Sequence, residues 1–213
     1  MGSKKIKNSE VVIGIDFDNT IINYDKIIYK IAREKEFIPI NYPCDKRIIK
    51  NAIMALPQGD LKWQNIQAII YGKRINEAHL AQGVLEFINK CKDHQIPVYV
   101  ISHKTKFSNL LPGSKNFQKA AIQWMGKNIF YPKSALKPRN IYFEITRKEK
   151  VKRIEQLGCT HFIDDLKEVF QEPEFPQRVK KILYAPYKEV KNFSHNDIIL
   201  MNTWWDIHEY FFS

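Results

Sequence analysis

Runs of apolar residues that end abruptly in polar residues mark the predicted strands of this chain. Val11 to Ile15 form the first run, and Asp16 and Asp18 follow it at once. A short continuous apolar run is typical of a parallel strand that is buried on both faces. In open α/β sheets the ligand crevice lies beyond the carboxyl ends of the strands. We therefore expect Asp16 and Asp18 to lie where a ligand binds.

Further apolar runs predict strands at 96–101, 140–145 and 181–184, and an edge strand at 198–201. Another short run begins at His161 and ends in the acids Asp164 and Asp165. Between these runs, apolar residues recur at helical spacing. The predicted helices cover 21–36, 46–56, 62–71, 76–94, 117–125, 148–157, 168–170 and 204–212. Strands that alternate with helices predict an α/β fold on a Rossmann-like, doubly wound parallel sheet.

The helical stretch between the first two strands is longer than a simple crossover needs, since a crossover helix with its loops takes about a dozen residues. We therefore expect a small helical cap inserted after the first strand, at approximately residues 25–78. The whole chain of 213 residues would form one domain around this insert, since the length suffices for one α/β domain and not for two independent ones.

A polar segment, Ser102-His103-Lys104-Thr105-Lys106, follows the second predicted strand. A hydroxyl, an imidazole and two ammonium groups suit an anionic ligand. Lys104 and Lys106 could bind a second anionic group, although we favour solvated lysine side chains. Two interpretations of His103 stay open, one in which it contacts a leaving group and one in which the loop backbone holds it.

The adjacent acids Asp164 and Asp165 repeat the pattern of Asp16 and Asp18 at another strand end. Carboxylates held close together repel each other unless a cation or a shared proton relieves the repulsion. Mg²⁺ is the natural cation here, because this hard ion prefers oxygen ligands. The alternative is that each strand simply ends in solvated acids.

Taken in chain order, four features resemble the four motifs of the haloacid dehalogenase-like (HAD) superfamily: Asp16-Phe17-Asp18-Asn19-Thr20, Ser102, a lysine at a helix start, and Asp164-Asp165. The segment from Lys150 to Val169 is also similar to a poorly characterised bacterial branch of HAD-like hydrolases. The resemblance implies a phosphatase or phosphotransferase, since family dehalogenases lack an aspartate at the position of Asp18.

By this resemblance, Asp16 is the nucleophile, whose attack on phosphorus forms an aspartyl-phosphate, and Asp18 is the acid–base catalyst. Thr20 is expected to form a hydrogen bond within the first loop. Ser102 would donate its hydroxyl to a phosphoryl oxygen. A lysine would neutralise charge that develops during transfer; Lys150 fits the helix-start pattern best, and Lys148 is the alternative.

The cofactor that the resemblance implies is Mg²⁺. Its protein ligands would be a carboxylate oxygen of Asp16, the backbone carbonyl of Asp18, and a carboxylate of the Asp164–Asp165 pair. This pair replaces the commoner Gly-Asp of the family, so Asp165 is favoured as the direct ligand. Asp164 would then orient a water molecule or Lys150.

The leading hypothesis is a HAD-like phosphoric monoester hydrolase that acts on a small phosphorylated metabolite. A 5'-nucleotidase or deoxyribonucleotidase is an alternative, because superfamily deoxyribonucleotidases also use an Asp-Asp fourth motif. A protein that binds or processes nucleic-acid ends is another, since the formal net charge is +11. The lysines are spread along the chain without a dense block, so we favour a solvated basic surface and expect no nucleic-acid partner.

Three cysteines, Cys44, Cys91 and Cys159, lack metal-ligand spacing and favour reduced thiols. The first residues carry no apolar stretch of signal-peptide length, and no later run approaches the length that spans a membrane. We therefore expect a cytoplasmic protein that does not associate with membranes. No pattern in the sequence indicates an oligomeric state.

Overall fold

The computed structural model describes residues 11–108, 115–130, 136–186 and 197–213. These residues divide between two compact units. The first unit contains the described residues up to Ile21, the segment Leu80–Lys104 and the described residues from Gly126 onward. The second contains Ile22–His79 and the described residues of Thr105–Met125. The second unit thus includes the predicted insert at 25–78 and a further segment that follows Lys104. Whether the insert acts as a cap stays a prediction.

The strands, in chain order, are β1 (Ile13–Ile15), β2 (Ile22–Asn23), β3 (His79–Leu80), β4 (Val98–His103), β5 (Ile141–Glu144), β6 (His161–Asp164), β7 (Lys180–Tyr184) and β8 (Ile198–Met201). The helices are α1 (Asp25–Glu34), α2 (Lys46–Met54), α3 (Gly59–Gly72), α4 (Val84–Asp93), α5 (Phe117–Met125), α6 (Arg147–Gln156), α7 (Lys167–Phe170) and α8 (Trp204–Phe212). The main sheet has six strands in the order β5-β4-β1-β6-β7-β8, and β2 pairs with β3 in a separate sheet.

Helices cover both faces of the six-stranded sheet. Alternate residues of each strand point to opposite faces, so each strand supplies side chains to both helical layers. On one face, Phe162 and Leu183 join Val151 of α6 in an apolar cluster. On the other face, Tyr184 packs against Trp204 of α8, with 5.7 Å between ring centroids. All described pairings within this sheet are parallel. The predicted doubly wound, Rossmann-like α/β sheet is confirmed.

The order of strand addition reverses between β1 and β6. From β1 the chain adds β4 and β5 on one side, and it then adds β6, β7 and β8 on the other. A reversal of this kind opens a crevice at the carboxyl ends of the two central strands. Asp16 follows β1 and Asp164 ends β6, so both residues lie at this crevice.

One predicted helix is wrong. The segment 76–94 contains the end of a 3₁₀ turn, Ile75–Glu77, then β3 and α4. Gly83 precedes α4 with φ at +88°, a left-handed conformation that glycine adopts easily and that interrupts a right-handed helix. The helix predicted at 21–36 also starts later, at Asp25, because the residues before it pair with β3 as β2.

Other expectations concern the cysteines and membrane association. All three cysteines are free thiols, with Cys44 exposed and Cys91 and Cys159 buried. Among the helices of the described ranges, none combines the length and the apolar character needed to cross a bilayer. The first ten residues, on which the expected absence of a signal peptide depends, lie outside the described residues.

Gly14, in the middle of β1, lies directly against two core side chains, one in β6 and one just before β6 in the chain. A Cβ atom added there would lie 2.6 Å from Cδ2 of Phe162 and 3.1 Å from Sγ of Cys159. Both neighbours are buried in the core, so neither can move aside freely. Gly14 therefore faces the α6 side of the sheet, and Asp16, two residues further, is directed to the same side.

Gly14→Ala should lower the free energy of unfolding by about 1–3 kcal/mol, because an extra methyl group overpacks a filled core. Gly126→Ala is a matched control, since the atom nearest to its added Cβ, Cδ2 of Phe130, is 3.8 Å away. Urea denaturation of both variants and the unaltered protein measures the difference. Equal midpoints for Gly14→Ala and the unaltered protein would contradict the close packing of β1 against β6.

Candidate active site

Three carboxylates converge at the crevice between β1 and β6. One oxygen each of Asp16, Asp164 and Asp165 lie within 4.8 Å of one another. The backbone N–H of Asp16 donates to the carbonyl of Ile163 at 2.9 Å, so the pairing of β1 with β6 extends beyond the last residue of β1. Asp16 and Asp164 are buried, and Asp165 is half-buried. Clustered carboxylate oxygens are the donor set that a hard divalent cation prefers.

A buried lysine joins two of these acids. Nζ of Lys150 donates to Oδ1 of Asp16 and to Oδ2 of Asp164, both at 2.6 Å. The residue is only 2% exposed. Thr146 and Glu149 form a capping box that fixes the start of α6, and Lys150 lies in the first turns after it. The local sequence thus determines where the helix begins and hence where this ammonium group lies.

Charge compensation governs the protonation of this cluster. Burial opposes the charged form of Lys150, but the two neighbouring carboxylates outweigh burial and raise the pKa of Lys150 above its usual value. Burial raises the pKa of Asp164, Lys150 lowers it in part, and the charge of Asp16 raises it further. The net result is a raised pKa for both Lys150 and Asp164, so the charged form of the lysine is favoured, and its charge allows two acids to lie close together in the core.

The carboxylate of Asp18 is paired with a different lysine. Nζ of Lys104 lies 2.7 Å from Oδ2 and 2.9 Å from Oδ1 of Asp18. The side chain of Lys104 is 2% exposed and that of Asp18 16%. The backbone N–H of Lys104 donates to the carbonyl of Glu144 at 2.8 Å, so strand pairing continues past His103. The expectation of a solvated Lys104 is wrong, because Asp18 compensates the buried charge.

Ser102 and His103 end β4, which lies beside β1 in the sheet with Ile15 opposite Val100. Ser102 is buried and His103 is exposed. Successive strand residues point to opposite faces, so the two side chains diverge. Both residues reach the same edge of the sheet as Asp16. Within the described ranges, neither side chain forms a hydrogen bond or an ion pair with the clustered acids.

The two candidate lysines of α6 lie in different surroundings. Lys148 is 71% exposed, and its Nζ lies 2.6 Å from Oε1 of Glu174. Residues two apart on a helix do not face the same side, so only one of the pair can enter the crevice. The structure places Lys150, and not Lys148, beside Asp16.

The loop after Asp18 is held by a contact that the sequence did not indicate. Nε1 of Trp204 donates to the backbone carbonyl of Thr20 at 3.1 Å. The expected hydrogen bond of the Thr20 hydroxyl within the loop is absent, since its Oγ1 is buried and has no partner among the described residues. A contact between residues 184 positions apart leaves no local signal in the sequence.

Comparison with known proteins shows to which class the fold of this chain belongs. No family model matches the sequence, and no curated protein matches it. Several solved structures do match. A haloacid dehalogenase-like hydrolase from Streptococcus pneumoniae is 14% identical with a TM-score of 0.56, and the match covers 96% of this chain and 100% of that one.

Two further solved structures with similar folds are also HAD hydrolases by name. A HAD-superfamily hydrolase of subfamily IA from Geobacter sulfurreducens is 11% identical with a TM-score of 0.54, over 94% of this chain and 96% of that one. The HAD hydrolase YfnB from Bacillus subtilis, solved with bound magnesium, is 12% identical with a TM-score of 0.53, over 95% and 99%. The chain has the fold of the HAD superfamily, and the resemblance drawn from its motifs is confirmed at that level. The finer similarity to one bacterial branch stays a prediction.

Lys150→Met should lower the free energy of unfolding by about 3–5 kcal/mol in metal-free buffer, because it leaves two buried carboxylates without their cation. A second change, Asp164→Asn, should recover part of this loss by removing one of the two charges. Urea denaturation in the presence of a chelator measures both effects.

Lys148→Met is the matched control, since its ion pair with Glu174 is exposed and contributes little to stability. The unfolding midpoint of this variant should equal that of the unaltered protein. If Lys150→Met and Lys148→Met unfold at the same urea concentration, the buried ion pair is not needed to hold the acids together.

Proposed function

We propose that this protein is a magnesium-dependent HAD-type phosphatase that hydrolyses a small phosphorylated metabolite through an aspartyl-phosphate intermediate. The observation that carries the proposal is the convergence of Asp16, Asp164, Asp165 and Lys150 at the strand ends where an α/β sheet binds its ligands. The shared fold supports it, because the matched proteins from three bacteria are hydrolases of this superfamily by name.

The donor set fits Mg²⁺, since all three clustered side chains offer hard carboxylate oxygens. Asp164 already accepts hydrogen bonds on both oxygens, from Lys150 and from the backbone N–H of Leu166. This supports Asp165 as the direct carboxylate ligand, together with Asp16 and the backbone carbonyl of Asp18. When bound, the ion would supply positive charge that screens the acids and the phosphoryl oxygens.

The proposed reaction has two displacement steps. In the first, a carboxylate oxygen of Asp16 forms a bond to phosphorus while the ester P–O bond breaks, and Asp18 gives its proton to the departing oxygen. In the second, a water oxygen bonds to phosphorus, the bond from Asp16 to phosphorus breaks, and Asp18 takes a proton from that water. Inorganic phosphate leaves, and both acids return to their starting state.

Lys150 and Ser102 have supporting roles in this proposal. The hydrogen bond from Lys150 to Oδ1 of Asp16 directs the carboxylate of the nucleophile and offsets its charge as a phosphate approaches. Ser102 would donate its hydroxyl to a phosphoryl oxygen at the same sheet edge. His103, whose side chain is exposed, would meet the leaving group.

The substrate class is tested by measuring phosphate release from a panel at fixed Mg²⁺ concentration. We expect turnover of sugar or polyol phosphates. Activity confined to nucleoside monophosphates would instead support a 5'-nucleotidase. Salt-sensitive retention of single-stranded or duplex DNA would support an end-processing protein, because contacts to phosphates weaken steeply with salt.

Asp16→Asn should reduce turnover of an aryl phosphate to the background rate, because an amide cannot accept the phosphoryl group as a carboxylate does. The unfolding midpoint should show that the variant is folded. Glu155→Gln, at an exposed position of α6, is the control and should keep full activity. Retained turnover in Asp16→Asn would remove the nucleophile assignment.

Removal of metal with EDTA should abolish turnover, and added Mg²⁺ should restore it. Asp165→Asn should raise the Mg²⁺ concentration that gives half-maximal activity, because it removes one negatively charged ligand. A titration of activity against Mg²⁺ for the variant and the unaltered protein measures this shift. Full activity in excess EDTA would exclude the metal from the proposal.

A further inference from the structure

We propose that Lys104 is a positioning residue that orients the carboxylate of Asp18 for proton transfer. The inference rests on the function proposed above, in which Asp18 is the acid–base group. Lys104 acts in this proposal through Asp18 and not through contact with the substrate.

The geometry of the pair supports a role in orientation. Nζ of Lys104 contacts both oxygens of Asp18, at 2.7 and 2.9 Å. A single hydrogen bond would leave the carboxylate free to rotate, whereas two contacts fix the direction of both oxygens. Proton transfer requires the acid within hydrogen-bond reach of the departing oxygen, so this direction matters for the reaction.

Lys104 is itself held in place. Its backbone N–H donates to the carbonyl of Glu144 and continues the pairing of β4 with β5. Its Nζ also lies 5.6 Å from the ring centroid of Phe17, the residue between the two aspartates. These contacts favour a fixed internal support over a binding group for a second substrate anion.

The pairing also separates the two acids of the first loop. Asp16 joins the acid cluster and binds Lys150, whereas the carboxylate of Asp18 lies on Lys104. Without Lys104, the carboxylate of Asp18 could turn towards Lys150 or towards the cation expected at the cluster. Lys104 therefore keeps this carboxylate available for proton transfer.

The test compares two phosphate monoesters that differ in leaving group. A nitrophenyl ester needs little protonation of its departing oxygen, whereas glycerol phosphate needs much. Lys104→Met keeps most of the length of the side chain and removes its charge. It should lower the rate of the first displacement, measured as alcohol release in a single turnover, by roughly 10- to 100-fold for glycerol phosphate, since misplacement by about 1 Å has effects of this size. The loss of this single-turnover rate should be smaller for the nitrophenyl ester, and the affinity for either ester should change little.

A double-mutant cycle tests whether Lys104 acts through Asp18. Adding Lys104→Met to Asp18→Asn should cause no further loss of kcat, because residues that act as a unit are not additive. Lys106→Met, which removes an exposed lysine two positions away, should leave kcat unchanged. Additive losses, or a raised KM with unchanged kcat, would overturn the inference and indicate direct binding of substrate.

Folding is controlled for by unfolding midpoints and a second variant. Lys104→Gln keeps a hydrogen-bond donor and should recover part of the kcat that Lys104→Met loses. If Lys104→Met does not fold, the same cycle is measured with Lys104→Gln, and equal losses of the single-turnover rate of the first displacement for the two esters would overturn the inference. Absence of phosphate release by the unaltered protein would overturn the proposed function as well, whereas additive losses in an active protein would overturn this inference alone.

Discussion

The site depends on one buried ammonium group placed between two buried carboxylates. Nζ of Lys150 lies 2.6 Å from an oxygen of Asp16 and from one of Asp164, and this pairing matters because removing charges from water is costly unless they are paired. Yet such an ion pair contributes little net stability, since apolar residues of similar volume would fill the same space at least as well. Stability alone therefore does not explain why acids and a lysine occupy this position, whereas the proposed reaction on a phosphorylated substrate would.

Strand register converts this local requirement into a property of the whole sheet. Ile15 lies opposite Ile163 in the parallel pairing of β1 with β6, and the ladder continues to Asp16. A slip of one residue would turn Asp16 to the opposite face, away from α6 and Lys150. The absence of a side chain at Gly14 permits the close contact with Phe162 that accompanies this register. Core packing and active-site geometry are thus set by the same pair of strands.

Sequence patterns predicted those features that depend on neighbouring residues. Apolar runs that end in acids predicted the positions of Asp16 and Asp164, and helical spacing predicted a helix at 148–157, close to the observed α6. The pairing of β2 with β3 was missed, because strands of two residues show no period. The burial of Lys104 was missed for a different reason. A lysine is normally solvated, and its partner Asp18 lies 86 positions earlier in the chain.

Asp16 and Asp18 show how the surroundings of a carboxylate determine its chemical role. They are two residues apart and chemically identical, so residue type alone does not distinguish their charges. In the folded protein, Asp16 shares a lysine with Asp164 and lies in a cluster suited to a divalent cation. Asp18 is paired with Lys104, whose Nζ contacts both carboxylate oxygens. Two identical side chains can take different chemical roles when separate cations fix them in separate environments, because the environment and not the residue type sets the function of a carboxylate.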